Sequence, residues 1–316
     1  MMATPRIHLD TDFGGDIDDL CALALLLRWP EPVAITGITV VAENDGRRTG
    51  MLRQTLVIAG REDIPTAGGA SADGGFYPYP LGLPDESRYW PDPVIPITNP
   101  LDDALDLLRR SIDAGATIVG IGPLTNLRLL EEAHPGTLAQ LRREGRLVQM
   151  GGYVRDPRDG YPAWTQADDF NIQVDVASAR TVFREVTPTF VPLSVTIETS
   201  LRWAHLDTLR GGDPLAQLIA RQAVAFAADE RLGETYGATC TNLPDDLINF
   251  HHDPLAVAIA LGWREGVTIE TLPVRHVVEE GVIRTIIAPD GVPTPYVTAI
   301  DGPAFDRFWL ETICRD

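Results

Sequence analysis

Apolar positions along the chain fall into short β-branched runs that alternate with leucine- and alanine-rich stretches at helical spacing. Arg6–Leu9 is a short apolar run leading into an acidic loop. Leu20–Trp29 predicts a helix stopped by Pro30. Ala34–Ala42 is a β-branched run closed by a polar turn at Glu43–Gly46, and Thr49–Ala59 predicts a helix ending at Gly60. Leu101–Ala114 predicts another helix, Thr117–Gly122 a buried strand, and Leu124–Ala133 a helix. Arg146–Met150 is a strand closed by Gly151 and Gly152. Val174–Glu185 reads as helix, Phe190–Ile197 as strand, and Leu255–Leu261 as helix directly after His252-Asp253-Pro254. This alternation predicts an α/β fold with a mostly parallel central sheet flanked by helices. Ligands then bind beyond the carboxyl ends of the strands. Val267–Ile300 carries strand-like runs without helices between them and predicts a small antiparallel C-terminal portion. Two long Pro/Gly-rich stretches, Gly68–Pro100 and Arg155–Ala167, are of a length that suits substrate-covering loops.

Composition narrows the picture. With 316 residues, 44% of them hydrophobic, and no linker or internal repeat, residues 1–316 are expected to form a single domain. The net charge of −19 argues against a sequence-independent grip on nucleic acid, which needs a basic surface. Every basic residue besides histidine is arginine. Without lysine there is no Walker A phosphate loop and no Schiff-base chemistry. Cys21, Cys240 and Cys314 have no metal-type spacing and are read as free thiols. No stretch has the pattern of a signal peptide or the length of a membrane span, so a cytoplasmic protein with no membrane partner is expected.

The chemistry concentrates in residues 10–19, Asp-Thr-Asp-Phe-Gly-Gly-Asp-Ile-Asp-Asp. Five carboxylates occupy ten positions between a strand and a helix. Like charge packed this densely is costly unless a cation or protons neutralise it, and hard oxygen ligands suit Ca²⁺ or Mg²⁺. Helix capping by Asp18 or Asp19 would account for one or two of the acids, not five. The spacing is not that of an EF-hand. An aspartate-nucleophile phosphatase of the haloacid dehalogenase type also opens with Asp-x-Asp after a first strand. Its motif continues with a small or β-branched residue where Phe13-Gly14 stands here.

The acidic loop resembles the opening motif of the inosine–uridine nucleoside hydrolase family, and further segments agree in order. Val40-Val41-Ala42-Glu43-Asn44 resembles its second strand. Ile121-Gly122-Pro123-Leu124-Thr125-Asn126 is similar to its Gly-Leu-Thr-Asn turn, and Met150-Gly151-Gly152 to its Met-Gly-Gly. Asp169-Phe170-Asn171 is similar to its Glu-Phe-Asn, and His252-Asp253-Pro254 to its His-Asp-Pro. Phe305–Trp309 resembles its C-terminal helix.

The resemblance implies a Rossmann-like open sheet and a calcium-dependent nucleoside N-ribohydrolase. The enzyme would cleave the N-glycosidic bond of a ribonucleoside, as a homodimer or homotetramer. It implies Ca²⁺ ligands at Asp12, Asp19 and Asp253 and at the carbonyl of Ile121, with Asp10 supporting Asp12. Asp12 would be the general base. Asp18 and Asn171 would bind the ribose 2′- and 3′-hydroxyls. Asn44 would lie near metal and sugar, and Asp169 would point to the ribose 5′ end. Met150 lines the sugar pocket or is a buried strand-end residue. His252 is the candidate acid, or at least a donor to the leaving base, because its neutral-range pKa suits the task. Its alternative is a packed histidine at a helix start.

Some positions depart from the family. The loop is two residues longer than the family's shortest form, which leaves the role of Asp16 open, and His251 has no assigned role. Asp169 replaces Glu, and Ala163-Trp164 stands where the family often has Asn, so altered recognition of the 5′ end is expected. Phe76, Tyr77, Tyr79, Tyr89 and Trp90 replace a histidine-rich loop and either stack on a base or pack the loop onto the body. A non-catalytic ribosyl-binding protein on the same fold is the rival from another class.

Overall fold

A computed structural model describes residues 4–71 and 83–315. The chain starts with β1 (Arg6–Thr11), α1 (Asp18–Leu27), β2 (Ala34–Val40), α2 (Arg47–Ile58) and β3 (Thr66–Gly68). After the one-turn α3 (Glu86–Tyr89) it continues through α4 (Leu101–Asp113), β4 (Thr117–Gly120), α5 (Thr125–Ala133), α6 (Thr137–Glu144) and β5 (Leu147–Met150). Then follow α7 (Phe170–Gln173), α8 (Val176–Glu185), β6 (Thr189–Val191), α9 (Leu193–Thr196), β7 (Leu201–Arg202), α10 (Leu206–Gly211) and α11 (Pro214–Glu230). The last third holds β8 (Leu247–Asn249), α12 (His252–Leu261), β9 (Thr268–Glu279), β10 (Val282–Ile287), β11 (Val292–Ala299) and α13 (Gly302–Ile313).

Nine strands form one sheet in the order β10-β9-β11-β6-β5-β4-β1-β2-β3. β3 through β6 in that order are all parallel, and β11 joins them parallel to β6. β9 and β10 then extend the edge antiparallel, as the strand runs after Val267 predict. The parallel strands are apolar on both faces because helices cover both. Val119, Val148 and Val191 point into one core with α1, α2, α11, α12 and α13. Their neighbours Ile118, Leu147 and Phe190 point into a second core with α4, α5, α6 and α8. Strand order reverses between β1 and β4, and at such a switch point the two adjacent strand ends open a crevice.

Three readings change. Of the expected strand Phe190–Ile197 only Phe190 and Val191 are strand, within β6; Pro192 adopts an extended backbone (φ −79°, ψ 157°) and starts α9. Helix α11, which the apolar pattern left unassigned, is capped by Asp213, whose side chain accepts from the Ala216 N–H at 3.0 Å, with Pro214 in its first turn. Helix α12 starts at His252, three residues before the periodic stretch. Tyr89 and Trp90 are buried in the first core, and the Tyr89 hydroxyl donates to Asp229 at 2.9 Å, so they pack the loop onto the body. Phe76, Tyr77 and Tyr79 lie outside the described residues. No helix among the described residues is long and apolar enough to cross a membrane.

Candidate active site

The acidic loop leaves the end of β1 at the switch point. Asp12 follows the strand directly, beside the end of β4. A side chain at Gly122 would place its Cβ 2.8 Å from Asp12 Oδ1, so glycine is what lets that carboxylate lie against β4. Asp16, whose role was open, accepts from the N–H groups of Ile17 and Asp18 and from Asn249 Nδ2 at 2.6 Å. It caps α1 and ties the loop to the end of β8. Asp18 and Asp19 stand in the first turn of α1, and Asp253 in the first turn of α12. The Asp253 N–H approaches Asp18 Oδ2 at 3.4 Å. Two helix N-termini thus point their positive ends at one spot, which favours negative charge there.

The carboxylates of Asp18, Asp19 and Asp253 are buried, and each offers an oxygen within 4.8 Å of the others. Burial first, and mutual repulsion second, holds all three well above the usual carboxylate range. Burial also raises Asp12, offset by the Arg48 guanidinium, and lifts Asp16 to about 6. A cluster of hard oxygens kept from ionising by burial and by its own charge fits a divalent cation, whose arrival would let the acids ionise together. The described residues therefore form a buried acidic cluster whose donors fit a metal ion.

The remaining expected residues group around it. Asp12, Asp18, Asp19, Ile121, Met150, Asp169, Asn171, His252 and Asp253 line one cavity of about 610 Å³, a size for a small molecule. Asn171 Nδ2 donates to the carbonyl of Ile121 at 3.2 Å and meets Met150 Sδ at 3.2 Å, which links the sugar-side residues to the end of β4. Asp10 lies behind the cavity, where its Oδ1 accepts from Thr39 Oγ1 at 2.6 Å and Asn126 Nδ2 at 2.8 Å.

Asp169 Oδ2 accepts the Gly152 N–H at 2.6 Å. Burial pushes Asp169 up to about 7, although the amides of Gly152 and Ile172 draw it back. Its Oδ1 has no partner of hydrogen-bond geometry among the described residues.

Asn44 does not line the cavity. The carboxylate of Glu43 folds back onto the amides of Asn44 (2.7 Å), Arg48 (3.1 Å) and Thr49 (3.1 Å) and caps α2. That turn sends Arg48 into the wall, where its guanidinium donates to the carbonyls of Asp12, Phe13 and Ala42.

His252 is half-buried, with Nδ1 2.7 Å from Thr196 Oγ1. Desolvation pushes it down to about 3, so the ring is neutral at pH 7, unlike the titrating acid the sequence suggests. His251 is a core residue: Nδ1 lies 3.2 Å from Asp306 Oδ1, and the ring packs against Trp309.

Sequence reasoning missed much of the far wall. Trp164 packs edge-on against Tyr236 and Phe250 at 5.4 and 5.5 Å, and its Nε1 donates to the Tyr236 hydroxyl at 3.0 Å. Phe250 lies 5.3 Å from the His252 ring. In the sequence Trp164 marks only a departure from the family pattern, and Tyr236 and Phe250 sit beside β8 without any periodic signal. Arg48, in the first turn of α2, likewise gives no signal.

A buried acidic cluster fitted to a cation, under a small polar-and-aromatic cavity at the switch point of an open parallel sheet, is the arrangement of an α/β enzyme acting on small molecules. Residues 7–307 match the family model described as inosine-uridine preferring nucleoside hydrolase. The chain is 30% identical over 295 residues to a pyrimidine-specific ribonucleoside hydrolase RihA of Salmonella arizonae, covering 85% of this chain and 83% of that protein. It is 31% identical to the RihA protein of an Enterobacter species over 286 residues, 83% of this chain and 79% of that protein. Among solved structures, a plant nucleoside hydrolase superposes with a TM-score of 0.72 at 20% identity, over 99% of this chain and 100% of that one. A purine-preferring ribonucleoside hydrolase from Gardnerella vaginalis superposes with a TM-score of 0.68 at 22% identity, over 98% of each chain. The chain belongs to the inosine-uridine preferring nucleoside hydrolase family. It is a nucleoside N-ribohydrolase, which cleaves ribonucleosides to base and ribose.

Proposed function

We propose that water attacks C1′ of the bound ribonucleoside beside a Ca²⁺ site made by Asp12, Asp19, Asp253 and the carbonyl of Ile121. The observation that carries this reading is the convergence of buried carboxylates from the starts of α1 and α12 on one point of the cavity floor. A divalent cation bound there supplies the charge that acidifies and orients the attacking water. Asp12 lies beside that floor and takes the proton of the water. Asp18 and Asn171 hold the ribose 2′- and 3′-hydroxyls, and Met150 packs under the sugar. As the N-glycosidic bond breaks, C1′ gains oxocarbenium character, and the fixed carboxylates around it stabilise that charge.

The leaving base must receive a proton or a hydrogen bond. The Thr196 hydroxyl has one proton, with His252 Nδ1 at 2.7 Å and the Leu193 carbonyl at 3.3 Å as competing acceptors. Given to the nearer nitrogen, it leaves His252 Nε2–H free to donate to the base. We therefore assign His252 as a neutral donor, not an imidazolium acid. Asp169 Oδ1, buried and without a partner among the described residues, supports a hydrogen bond from the ribose 5′-hydroxyl. Base preference is not inherited, because the named relatives divide between pyrimidine and purine.

The test is release of reducing sugar from a panel of purine and pyrimidine ribonucleosides, with Ca²⁺ or chelator, by wild type and Asp12→Ala. Chelator-sensitive release that Asp12→Ala abolishes supports the reading. Release that persists in chelator overturns the metal role. Calcium binding without release from any nucleoside leaves a ribosyl-binding protein.

A further inference from the structure

Strand β1 carries a histidine where a buried parallel strand needs only an apolar side chain. His8 is 0% exposed, and both ring nitrogens are engaged. Nδ1 lies 2.8 Å from Ser111 Oγ on α4, and Nε2 lies 2.9 Å from Thr39 Oγ1 on β2. Thr39 Oγ1 donates to Asp10 Oδ1 at 2.6 Å. The threonine hydroxyl has a single proton, and the carboxylate is its stronger acceptor. Toward His8 the same oxygen can then only accept. This fixes the imidazole as the Nε2–H tautomer, with a bare Nδ1 that accepts from Ser111. The chain of donors runs one way, from Ser111 through His8 and Thr39 to Asp10. Burial holds the ring neutral, with its pKa down near 3, as a bare Nδ1 requires.

The sheet is shaped around this ring. The β1–β2 register shifts between Ile7 and His8, which pairs His8 with Gly37. A Cβ at Gly37 would meet His8 Nδ1 at 3.1 Å and Leu107 Cδ1 at 2.9 Å. His8 and Asp10 alternate along β1 and so share a face, and Thr39 is the register partner of Asp10. The Asp10 carbonyl accepts the Ile121 N–H at 2.8 Å, and Asp12 lies two residues further on.

We propose that Ser111, His8 and Thr39 form a positioning relay that fixes the direction of the Thr39 hydroxyl, clamps Asp10, and so aims Asp12 and the Ile121 carbonyl at the metal. None of the three lines the cavity, so they act through Asp10 rather than on substrate. The proposal rests on the reading of Asp12 and Ile121 as cation ligands.

The test combines ¹⁵N NMR of the full, calcium-loaded chain with kinetics and calcium titration calorimetry. The His8 ring is expected as the Nε2–H tautomer, and Ser111→Ala is expected to perturb its Nδ1 resonance. Thr39→Val is expected to lower kcat about 10- to 100-fold with KM within about twofold, and to weaken calcium binding about 10-fold. Thr39→Ser is expected to restore both. An Nδ1–H tautomer overturns the direction of the relay. Wild-type kcat and calcium affinity in Thr39→Val overturn its positioning role. Should Thr39→Val fail to fold, Ser111→Ala carries the same comparison, and wild-type values for it count against the relay. If the wild-type chain binds no calcium, the ligand reading falls, and the kcat of Thr39→Val alone judges the relay.

Discussion

The Arg48 guanidinium donates to the main-chain carbonyl of Phe13 at 3.2 Å, from a position only 2% exposed. The same group bonds the carbonyls of Asp12 and Ala42, so one side chain closes the acidic loop onto the start of α2. It is also the one arginine lining the cavity among the described residues. Arg48→Met keeps the length but strands three carbonyls and removes the cation that offsets the acids. Loss of about 3 kcal/mol of stability is expected in chelator, with more rescue by Ca²⁺ than wild type gains. Thermal denaturation with and without Ca²⁺ checks this, and an unchanged midpoint in chelator refutes it.

Asp12 and Asp18 compete for two roles. The geometry groups Asp18 with Asp19 and Asp253, whereas the family resemblance gives the metal to Asp12 and the ribose to Asp18. Asp12→Asn is expected to lower kcat about 100-fold or more, as loss of a general base does. Asp18→Asn is expected to raise KM for ribonucleosides about 10-fold, with calcium affinity nearly kept. Calorimetry and steady-state kinetics on both variants decide. Lost calcium binding in Asp18→Asn, with binding kept in Asp12→Asn, would exchange the roles.

Much of this site is legible in the sequence because local signals place it. Asp12, Asp18 and Asp19 sit between an apolar strand and an apolar helix, and Asp253 heads another helix, so spacing alone puts them at strand ends and helix starts. The floor is therefore read from short segments. The walls are not. Arg48 reaches the cavity only because Glu43 folds back onto α2 and turns Asn44 aside, a detail of side-chain capping that no period encodes. Trp164 and Phe250, from irregular segments, meet Tyr236 from the single π-helical turn Gly233–Gly237. Phe190–Ile197 holds as strand only to Val191, because a short apolar run serves strand or helix equally and Pro192 turns the rest into α9. His8 reads as one polar residue in a strand until Thr39, Ser111 and Gly37 are brought around it.

Asp169 is the residue proposed for the sugar's 5′ end. Its Oδ2 is committed to the Gly152 amide, and its buried Oδ1 has no partner among the described residues. An unmet buried acceptor costs about 1–3 kcal/mol, which a substrate hydroxyl would relieve. A 5′-deoxyribonucleoside is expected to show kcat/KM lower by about 10-fold or more than its parent. Equal values for the two would refute recognition of the 5′-hydroxyl by Asp169. They would favour the altered 5′ specificity that the shorter acid and Trp164 suggest.

The buried acidic cluster makes stability, pH and cation binding one problem. Burial and mutual repulsion hold Asp18, Asp19 and Asp253 well above the ordinary carboxylate pKa of 3.8. A carboxylate whose folded pKa is raised contributes its stability below the unfolded value and loses it as pH rises through the folded one. The metal-free chain is thus expected to lose stability as pH climbs above 4, because the unfolded chain releases these protons first. His8 and His252, held down near 3, and His205 and His276, held down near 4, act oppositely between about pH 3 and 6.5, so the net fall is clearest above pH 6.5. A bound divalent cation needs the acids ionised, so binding must expel their protons and its affinity must rise with pH. Chelated protein should melt lower at pH 8 than at pH 6.5, while calcium-loaded protein should not show that fall. Calorimetry in buffers of different ionisation enthalpy should register proton release on calcium binding at pH 7. Binding without proton release, together with a flat pH profile in chelator, would mean that the acids are already ionised in the metal-free fold.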